Sequence, residues 1–255
     1  MFINNFDPVA IQIFSLEIRW YSLAYITGIL LGWILSKKIF ISDDQIKEKF
    51  DDFITYLILG IIIGGRLGYV IFYNFEYFSN NLIDIFKIWQ GGMSFHGGLL
   101  GIIFVTIWFA KKNNHKIFKY LDVISIVAPI GIFFGRIANF INSELYGTET
   151  SVPWAVKFIQ IDNLYRHPSQ LYEAILEGFI LFIILILIFS KKNYRIGTCS
   201  YVFLIFYGIF RIFSEFLREP DNQLGYLFGS ITMGMLLSAF MILFGLILYR
   251  KRNEL

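Results

Sequence analysis

The chain repeats one pattern: seven stretches of about twenty predominantly apolar residues, at residues 18–35, 53–73, 93–110, 121–140, 171–189, 199–216 and 230–249. About twenty residues of helix, at 1.5 Å each, cover the roughly 30 Å hydrocarbon core of a bilayer. In lipid every backbone polar group needs a partner within the protein, so a chain built of such stretches folds as a helix bundle. Composition agrees: 56% of the 255 residues are hydrophobic, 16% are charged, and the mean hydropathy is +0.62. A water-soluble domain carries about 25% charged residues, which excludes an ordinary soluble core. The expectation is an all-α polytopic membrane protein with seven transmembrane helices, forming one integral-membrane domain over residues 1–255.

Basic residues set the expected orientation. Of the 22 Lys and Arg, fourteen fall in alternate segments: Lys37, Lys38, Lys47 and Lys49; Lys111, Lys112, Lys116 and Lys119; Lys191, Lys192 and Arg195; Arg250, Lys251 and Arg252. The positive-inside rule makes these segments cytoplasmic, with the N-terminus outside and the C-terminus inside. Residues 1–20 lack a basic n-region and carry Asp7 and Glu17, so no cleaved signal peptide is expected there. The net charge of +3 is largely this topological signal and points to no nucleic-acid partner. Cys199 is the one cysteine and reads as packing. Two long outward segments, residues 74–92 and 141–170, would build a small extracytoplasmic cap. The second is expected to be irregular around Pro153 and Pro168, with a short strand near residues 154–159.

With that topology, each polar residue of the spans acquires a depth. Arg66, Arg136 with Asn139, and Arg211 with Glu215 come late in helices that run outward; Tyr21, His96, Glu173 and Glu177 come early in helices that run inward. All fall in the outer half, which predicts one shared, outward-facing polar cavity. An arginine at membrane depth costs ~2.5–3.5 kcal/mol on insertion scales, so it persists where it has a partner or a task. Guanidinium forks match phosphate or carboxylate bidentately, and an anionic headgroup is the obvious ligand.

The densest polar run is residues 135–147, G-R-I-A-N-F-I-N-S-E-L-Y-G, where Arg136, Asn139 and Asn142 recur every third residue and can share a helical face. Arg211 and Glu215, four apart, either neutralise each other or serve the chemistry. Arg66 reads first as a structural partner of Glu173 or Glu177. His96 lies in S-F-H-G-G-L-L-G, where Gly97 and Gly98 allow close backbone or ligand approach. An imidazole, of unperturbed pKa about 6.5, can take a proton from a thiol of pKa about 8.5, although a histidine on an apolar helix also serves as packing. His115 and His167 fall in separate loops, so no metal site is expected. Without a G-x-S-x-G turn, neither is a serine hydrolase.

Together these blocks resemble the prolipoprotein diacylglyceryl transferase family. Residues 135–147 are similar to its signature. R-W-Y-S-L (19–23), G-G-R-L-G-Y (64–69), G-G-M-S-F-H-G-G-L (91–99), R-H-P-S-Q-L-Y-E (166–173) and Y-G-I-F-R-I-F-S-E-F-L-R-E-P-D (207–221) occur in the family's order, covering nearly the whole chain. One departure is Ala138, where the family commonly carries glycine; both are small enough for close helix approach.

The resemblance implies an enzyme of the bacterial cytoplasmic (inner) membrane with its active site towards the outer leaflet. Such an enzyme moves the diacylglyceryl group of phosphatidylglycerol to the lipobox cysteine thiol of an exported prolipoprotein. It forms a thioether and releases glycerol phosphate, the first step of lipoprotein maturation. The implied partners are phosphatidylglycerol and the prolipoprotein signal peptide; a monomer is expected, with no cofactor. On this reading Arg136 with Asn139 holds the donor phosphate, Arg211 beside Glu215 stabilises the leaving group, and His96 takes the thiol proton or orients the thiol. The family's motifs add Tyr21, Glu144 and Gly147, while Asn142, Tyr207, Gly97 and Gly98 complete the expected substrate surroundings. The alternative is a membrane transporter of a small anion or lipid, whose polar residues would lie nearer the midplane, often with inverted repeats that this chain lacks. A seven-helix receptor would share the amino-out topology, but the chain lacks the cysteines for an external disulfide.

Overall fold

Asp43 shows how the sequence starts the longest helix. Its carboxylate accepts from the backbone N–H of Gln45 and Ile46, two of the donors a helix start leaves unpaired. Helix α2 then runs Asp44–Phe72. The structure is a computed structural model describing all residues except 15, 192–193, 221–224, 228 and 252–255. Lys192, Asp221 and Arg252, used above, lie outside the described residues. Before α2 come β1 (Phe2–Asn4), β2 (Val9–Ile13), β3 (Leu16–Arg19) and α1 (Trp20–Leu35), which a π-helical turn prolongs over Ser36–Phe40. After it come α3 (Phe75–Asn80), two 3₁₀ turns (Leu82–Phe86 and Ile88–Gln90), α4 (Phe95–Lys112) and α5 (Ile117–Ile141). The chain continues through β4 (Val156–Phe158), β5 (Tyr165–Arg166), α6 (Ser169–Glu173), a π-helical stretch (Ala174–Ile180), α7 (Leu181–Phe189), α8 (Thr198–Glu215) and α9 (Met233–Arg250).

Among the described residues, six helical segments are long and apolar enough to cross a membrane: Trp20–Phe40, Asp44–Phe72, Ile117–Ile141, Ser169–Phe189, Thr198–Glu215 and Met233–Arg250. Each overlies an expected span. The seventh expected span, residues 93–110, is helical as α4 but is not one of the six. Because α2 begins at Asp44, Lys47 and Lys49 lie on a helix and not in a loop.

The chain packs as two compact units, residues 37–121 and residues 1–36 with 122–255. In the first, α2 and α4 meet along glycines: Gly60, Gly64 and Gly68 on α2, Gly97 and Gly101 on α4. A Cβ on Gly68 would lie 2.8 Å from the Gly97 Cα, and one on Gly97 or Gly101 would collide with the carbonyl oxygen of Gly64 or Gly60. Stripes of small residues let membrane helices approach backbone to backbone. Phe53 packs between Tyr120 and Phe109, with ring centroids 4.7 and 5.4 Å away, and Lys119 Nζ meets Asp43 Oδ2 at 2.6 Å.

In the second unit α1 touches α5 where Gly28 faces Gly131. Asp122, early in α5 and 3% exposed, accepts from the backbone N–H of Gly197 (2.6 Å) and Ser200 (2.8 Å), from Ser200 Oγ (2.7 Å) and from the Tyr194 hydroxyl. A buried carboxylate with this many donors is stably solvated by the protein, and here it also caps the start of α8. A three-stranded sheet has the order β1-β4-β5, with β1 parallel to β4 (Phe2↔Val156) and β4 antiparallel to β5 (Val156↔Arg166). Val156 and Phe158 are buried and Lys157 is half-buried, the two-residue alternation of a strand. Thus β4 falls within the strand expected at residues 154–159. The antiparallel pair β2–β3 takes residues 18 and 19 from the expected first span, and no strand was expected in the first nineteen residues.

Candidate functional site

Within the larger unit, α5, α6 with its π-helical continuation, and α8 with the turn that follows it bring three arginines together with three glutamates. Arg136 Nη1 lies 3.0 Å from Glu173 Oε2, and its Nη2 lies 3.2 Å from Glu177 Oε2. Arg211 Nη1 is paired with Glu173 Oε1, and its Nη2 sits 2.6 Å from Glu215 Oε2. Arg218 Nη1 lies 3.9 Å from both Glu173 Oε1 and Glu215 Oε2. Glu173 and Glu177 are four apart and share a helical face. Gly178 lets that face close on α5, since a Cβ there would lie 2.7 Å from the Phe133 Cβ. Three guanidinium and three carboxylate groups cancel formally, which the interior demands because a lone buried charge is strongly destabilising. The Glu173 and Glu177 side chains are wholly buried, whereas Arg136 keeps 16% of its side chain accessible, against 11% for Arg211 and 6% for Arg218. Arg136 is therefore the cluster's most open cation.

Hydroxyls fix the carboxylates: Ser214 Oγ donates to Glu177 Oε1 at 3.1 Å, and Thr232 Oγ1 to Glu215 Oε1 at 2.9 Å. Tyr207 is within electrostatic reach of Glu177, Arg136 and Arg211. Tyr21 reaches this region through Tyr25: their hydroxyls are 3.4 Å apart, and Tyr25 interacts electrostatically with Arg136.

The turn after α5 is organised around Glu144. Asn139 Nδ2 donates to its Oε2 (3.0 Å) and Asn142 Nδ2 to its Oε1 (3.3 Å), while the Glu144 N–H donates to the Asn139 carbonyl (2.9 Å). Ser143 and Leu145 adopt φ of 58° and 55°, the left-handed backbone that reverses the chain here. Gln170 Nε2 donates to the Glu144 carbonyl (2.6 Å) and Ser169 Oγ to that of Leu145 (2.9 Å), tying the turn to the start of α6. Gly147 is squeezed between two segments, where a Cβ would lie 2.6 Å from both the Leu217 carbonyl oxygen and the His167 Cβ. Next to it Arg166 donates to the Gly147 carbonyl (3.1 Å), pairs with Asp162 (2.7 Å) and Glu219 (3.1 Å), and stacks over Tyr146. The Arg166 hydrogen bond holds the Asp162 carboxyl below its usual range, and burial lowers the His167 imidazole.

Arg66 and His96 belong to the other unit. All five Arg66 N–H donors have backbone acceptors: Nε to Ile85 (2.8 Å), Nη1 to Gly91 (2.5 Å) and Gly92 (3.1 Å), and Nη2 to Asp84 (2.6 Å) and Lys87 (3.3 Å). The expected pairing of Arg66 with Glu173 or Glu177 is thereby corrected, since those glutamates hold Arg136 and Arg211. The carbonyls of Asp84 and Lys87 also close the 3₁₀ turns, accepting from the N–H of Lys87 and Gln90, and one guanidinium fork gathers all five carbonyls of this segment. His96 is exposed in the first turn of α4, whose cap is Ser94, accepting from the Gly97 N–H at 3.2 Å. The space Gly97 leaves is filled by the α2 backbone at Gly64 and Gly68, while Gly98 meets Ile61 in ordinary contact.

The structure therefore joins Arg136, Arg211, Glu215 and Tyr207 in one cluster, and Asn139, Asn142 and Glu144 in an adjacent turn. Sequence reasoning missed Arg218, Ser214, Thr232 and Tyr25. Arg218 carried a signal, as an arginine three residues beyond Glu215; the hydroxyl residues carried none.

A family profile described as "Prolipoprotein diacylglyceryl transferase" matches residues 8–250. Proteins named phosphatidylglycerol–prolipoprotein diacylglyceryl transferase are similar along nearly all of the chain. The one from Nitrobacter hamburgensis is 50% identical over 251 residues, covering 94% of this chain and 86% of its own. The one from Oleidesulfovibrio alaskensis is 50% identical over 255 residues, covering 98% and 95%, and the one from Rickettsia felis is 47% identical over 253 residues, covering 98% of each. A multi-pass set of apolar helices, a charge-balanced cluster within it and these full-length likenesses agree: the chain belongs to the prolipoprotein diacylglyceryl transferase family.

Proposed function

We propose that this chain transfers the diacylglyceryl group of phosphatidylglycerol to the lipobox cysteine thiol of an exported prolipoprotein, the first step of lipoprotein maturation. The cysteine sulfur attacks the glyceryl carbon bonded to the phosphate oxygen, a carbon–sulfur bond replaces the carbon–oxygen bond, and glycerol phosphate leaves. The thiol proton passes to a base, so the step balances without a cofactor. The observation that carries this reading is the buried arginine–glutamate cluster with Arg136 as its most open cation.

The glutamates align the guanidinium planes and keep the cluster neutral before lipid arrives. Donors of Arg136 not turned to Glu173 and Glu177, together with Asn139, hold the phosphate. Arg211, oriented by Glu215, meets the charge that grows as the leaving group departs. Preorganised donors of this kind act where charge develops and need no reorganisation during the reaction. His96 takes the thiol proton or orients the thiol, on a helix that Gly97 sets close to its neighbour, with Gly98 following. Tyr21, Tyr207, Asn142, Glu144 and Gly147 shape the substrate surroundings. The enzyme works as a single integral-membrane domain and a monomer in the bacterial cytoplasmic membrane. It has seven spans, α4 included, its N-terminus outside, its C-terminus in the cytoplasm, a small extracytoplasmic cap, and a site towards the outer leaflet. The basic segments support that orientation.

The test follows the mass of a lipobox peptide incubated with purified enzyme in phosphatidylglycerol vesicles. Arg136→Ala is expected to abolish the diacylglyceryl mass shift, and His96→Asn to lose most of the rate while lipid binding survives. Full turnover by folded Arg136→Ala removes the phosphate role, and near-normal turnover by His96→Asn at neutral pH assigns the proton elsewhere.

A further inference from the structure

The Glu215 carboxylate is held from three sides. Arg211 Nη2 lies 2.6 Å from its Oε2, and Thr232 Oγ1 donates to its Oε1 at 2.9 Å. On the third side stands Gly234: a Cβ there would lie 2.8 Å from Oε1, 2.9 Å from Cδ and 3.0 Å from Oε2. The space a side chain would take at the start of α9 is thus filled by a carboxylate from the end of α8.

Thr232 is 4% exposed and also caps α9, its oxygen accepting from the Met235 N–H at 3.2 Å. A hydroxyl has one proton and two lone pairs. Here the proton goes to Glu215 and a lone pair to the helix start, so both roles fix one rotamer. Capping alone would be met by any good cap residue, and a glycine in the first turn of a helix weakens it relative to alanine. Gly234 is not what α9 by itself would select, and Thr232, a good cap, turns its one proton to the carboxylate that rests on both.

We infer that Thr232 and Gly234 are positioning residues for the transfer reaction, fixing Glu215 so that Arg211 presents a single orientation to the departing phosphate. The inference rests on the role given to Arg211 above. Arg211 acts on charge that develops only as the carbon–oxygen bond breaks. Loosening its support therefore lowers kcat and kcat/KM together and leaves the KM for lipid nearly unchanged.

The experiment measures kcat and KM for phosphatidylglycerol with the full-length enzyme in vesicles, alongside thermal unfolding and the monodisperse folded fraction. Thr232→Val, which keeps the shape and removes the proton and the cap, is expected to lower kcat roughly tenfold or more with KM within about twofold. Thr232→Ser restores the hydroxyl and is expected to return the rate to within about threefold of the parent. Gly234→Ala, which crowds the carboxylate instead of releasing it, is expected to lower kcat likewise. Asp43→Ala removes the cap of α2 far along the chain from Glu215 and is expected to lower thermal stability while keeping kcat per folded enzyme.

Parental kcat in both Thr232→Val and Gly234→Ala overturns the inference, as does an equal loss of kcat per folded enzyme in Asp43→Ala. Full turnover by Arg211→Ala overturns the reading beneath it. Loss in Arg211→Ala with parental Thr232→Val and Gly234→Ala overturns the positioning role alone.

Discussion

Replacing Glu173 by glutamine keeps side-chain size and removes one negative charge from a group with no exposed side-chain surface. Glu173 accepts from Arg136 at 3.0 Å and from Arg211 more closely, and Arg218 lies 3.9 Å away. With three arginines then facing two carboxylates, the cluster carries one uncompensated positive charge. Each lost contact near 4 Å is worth about 4 kcal/mol at an effective dielectric of 20, before the desolvation that the missing charge no longer suffers. The balance for breaking a buried pair from one side is a loss of about 3–5 kcal/mol. At about 1.4 kcal/mol per decade, the unfolding equilibrium rises roughly a hundredfold or more. Reversible unfolding of the purified protein in mixed micelles, followed by tryptophan fluorescence, reads this directly. The double variant Glu173→Gln, Arg136→Gln removes the surplus charge and is expected to recover part of the loss, a non-additivity of about 1–3 kcal/mol. If Glu173→Gln unfolds within about 0.5 kcal/mol of the parent, a level typical of surface substitutions, the charge-balance argument is wrong.

Gly101→Val places a branched side chain against the Gly60 carbonyl, where even a Cβ collides, so α2 and α4 must separate. Limited proteolysis and unfolding in micelles are expected to show a loss of several kcal/mol typical of overpacking or worse, and parental stability would refute the backbone-to-backbone contact. The Asp162–Arg166 pair sets a pH dependence. Its folded carboxyl is held low by Arg166, so its stabilisation is complete above the unfolded value of about 3.9 and is lost as pH falls through the lower folded value. Asp162→Asn is expected to flatten that acid limb in thermal unfolding at low salt, with a modest amplitude because Asp162 is partly exposed. An unchanged limb would place the acid sensitivity in other carboxylates.

The helices were legible because apolar run length is a local property. The polar residues of the cluster were legible too, because a charge inside such a run stands out against it. The Arg211–Glu215 pair, four residues apart, was legible as well, but the partners of Arg136 were not. Glu173 and Glu177 lie 37 and 41 residues from Arg136, a pairing that no helical period encodes, and the competing assignment to Arg66 failed because backbone carbonyls of residues 84–92 occupy that guanidinium. Strand β4 fell where a strand was expected, but its partner β1 is three residues long, too short for alternation to register, and the two find each other across most of the chain. Gly97 was read as allowing close approach of backbone or ligand, and the choice between them, here the α2 backbone, is invisible until the helices are packed.

The parallel pairing of β1 with β4 orders events during synthesis. Phe2 must wait for Val156. At about 5–20 residues per second, some 150 residues take roughly 8–30 s to emerge, by which time α1 to α5 have been made. Through that interval the nascent amino end presents unsatisfied strand donors and acceptors to whatever is near. The three-stranded sheet is thus a late clasp, fastened only after the roughly 150 residues between its first two strands have been made.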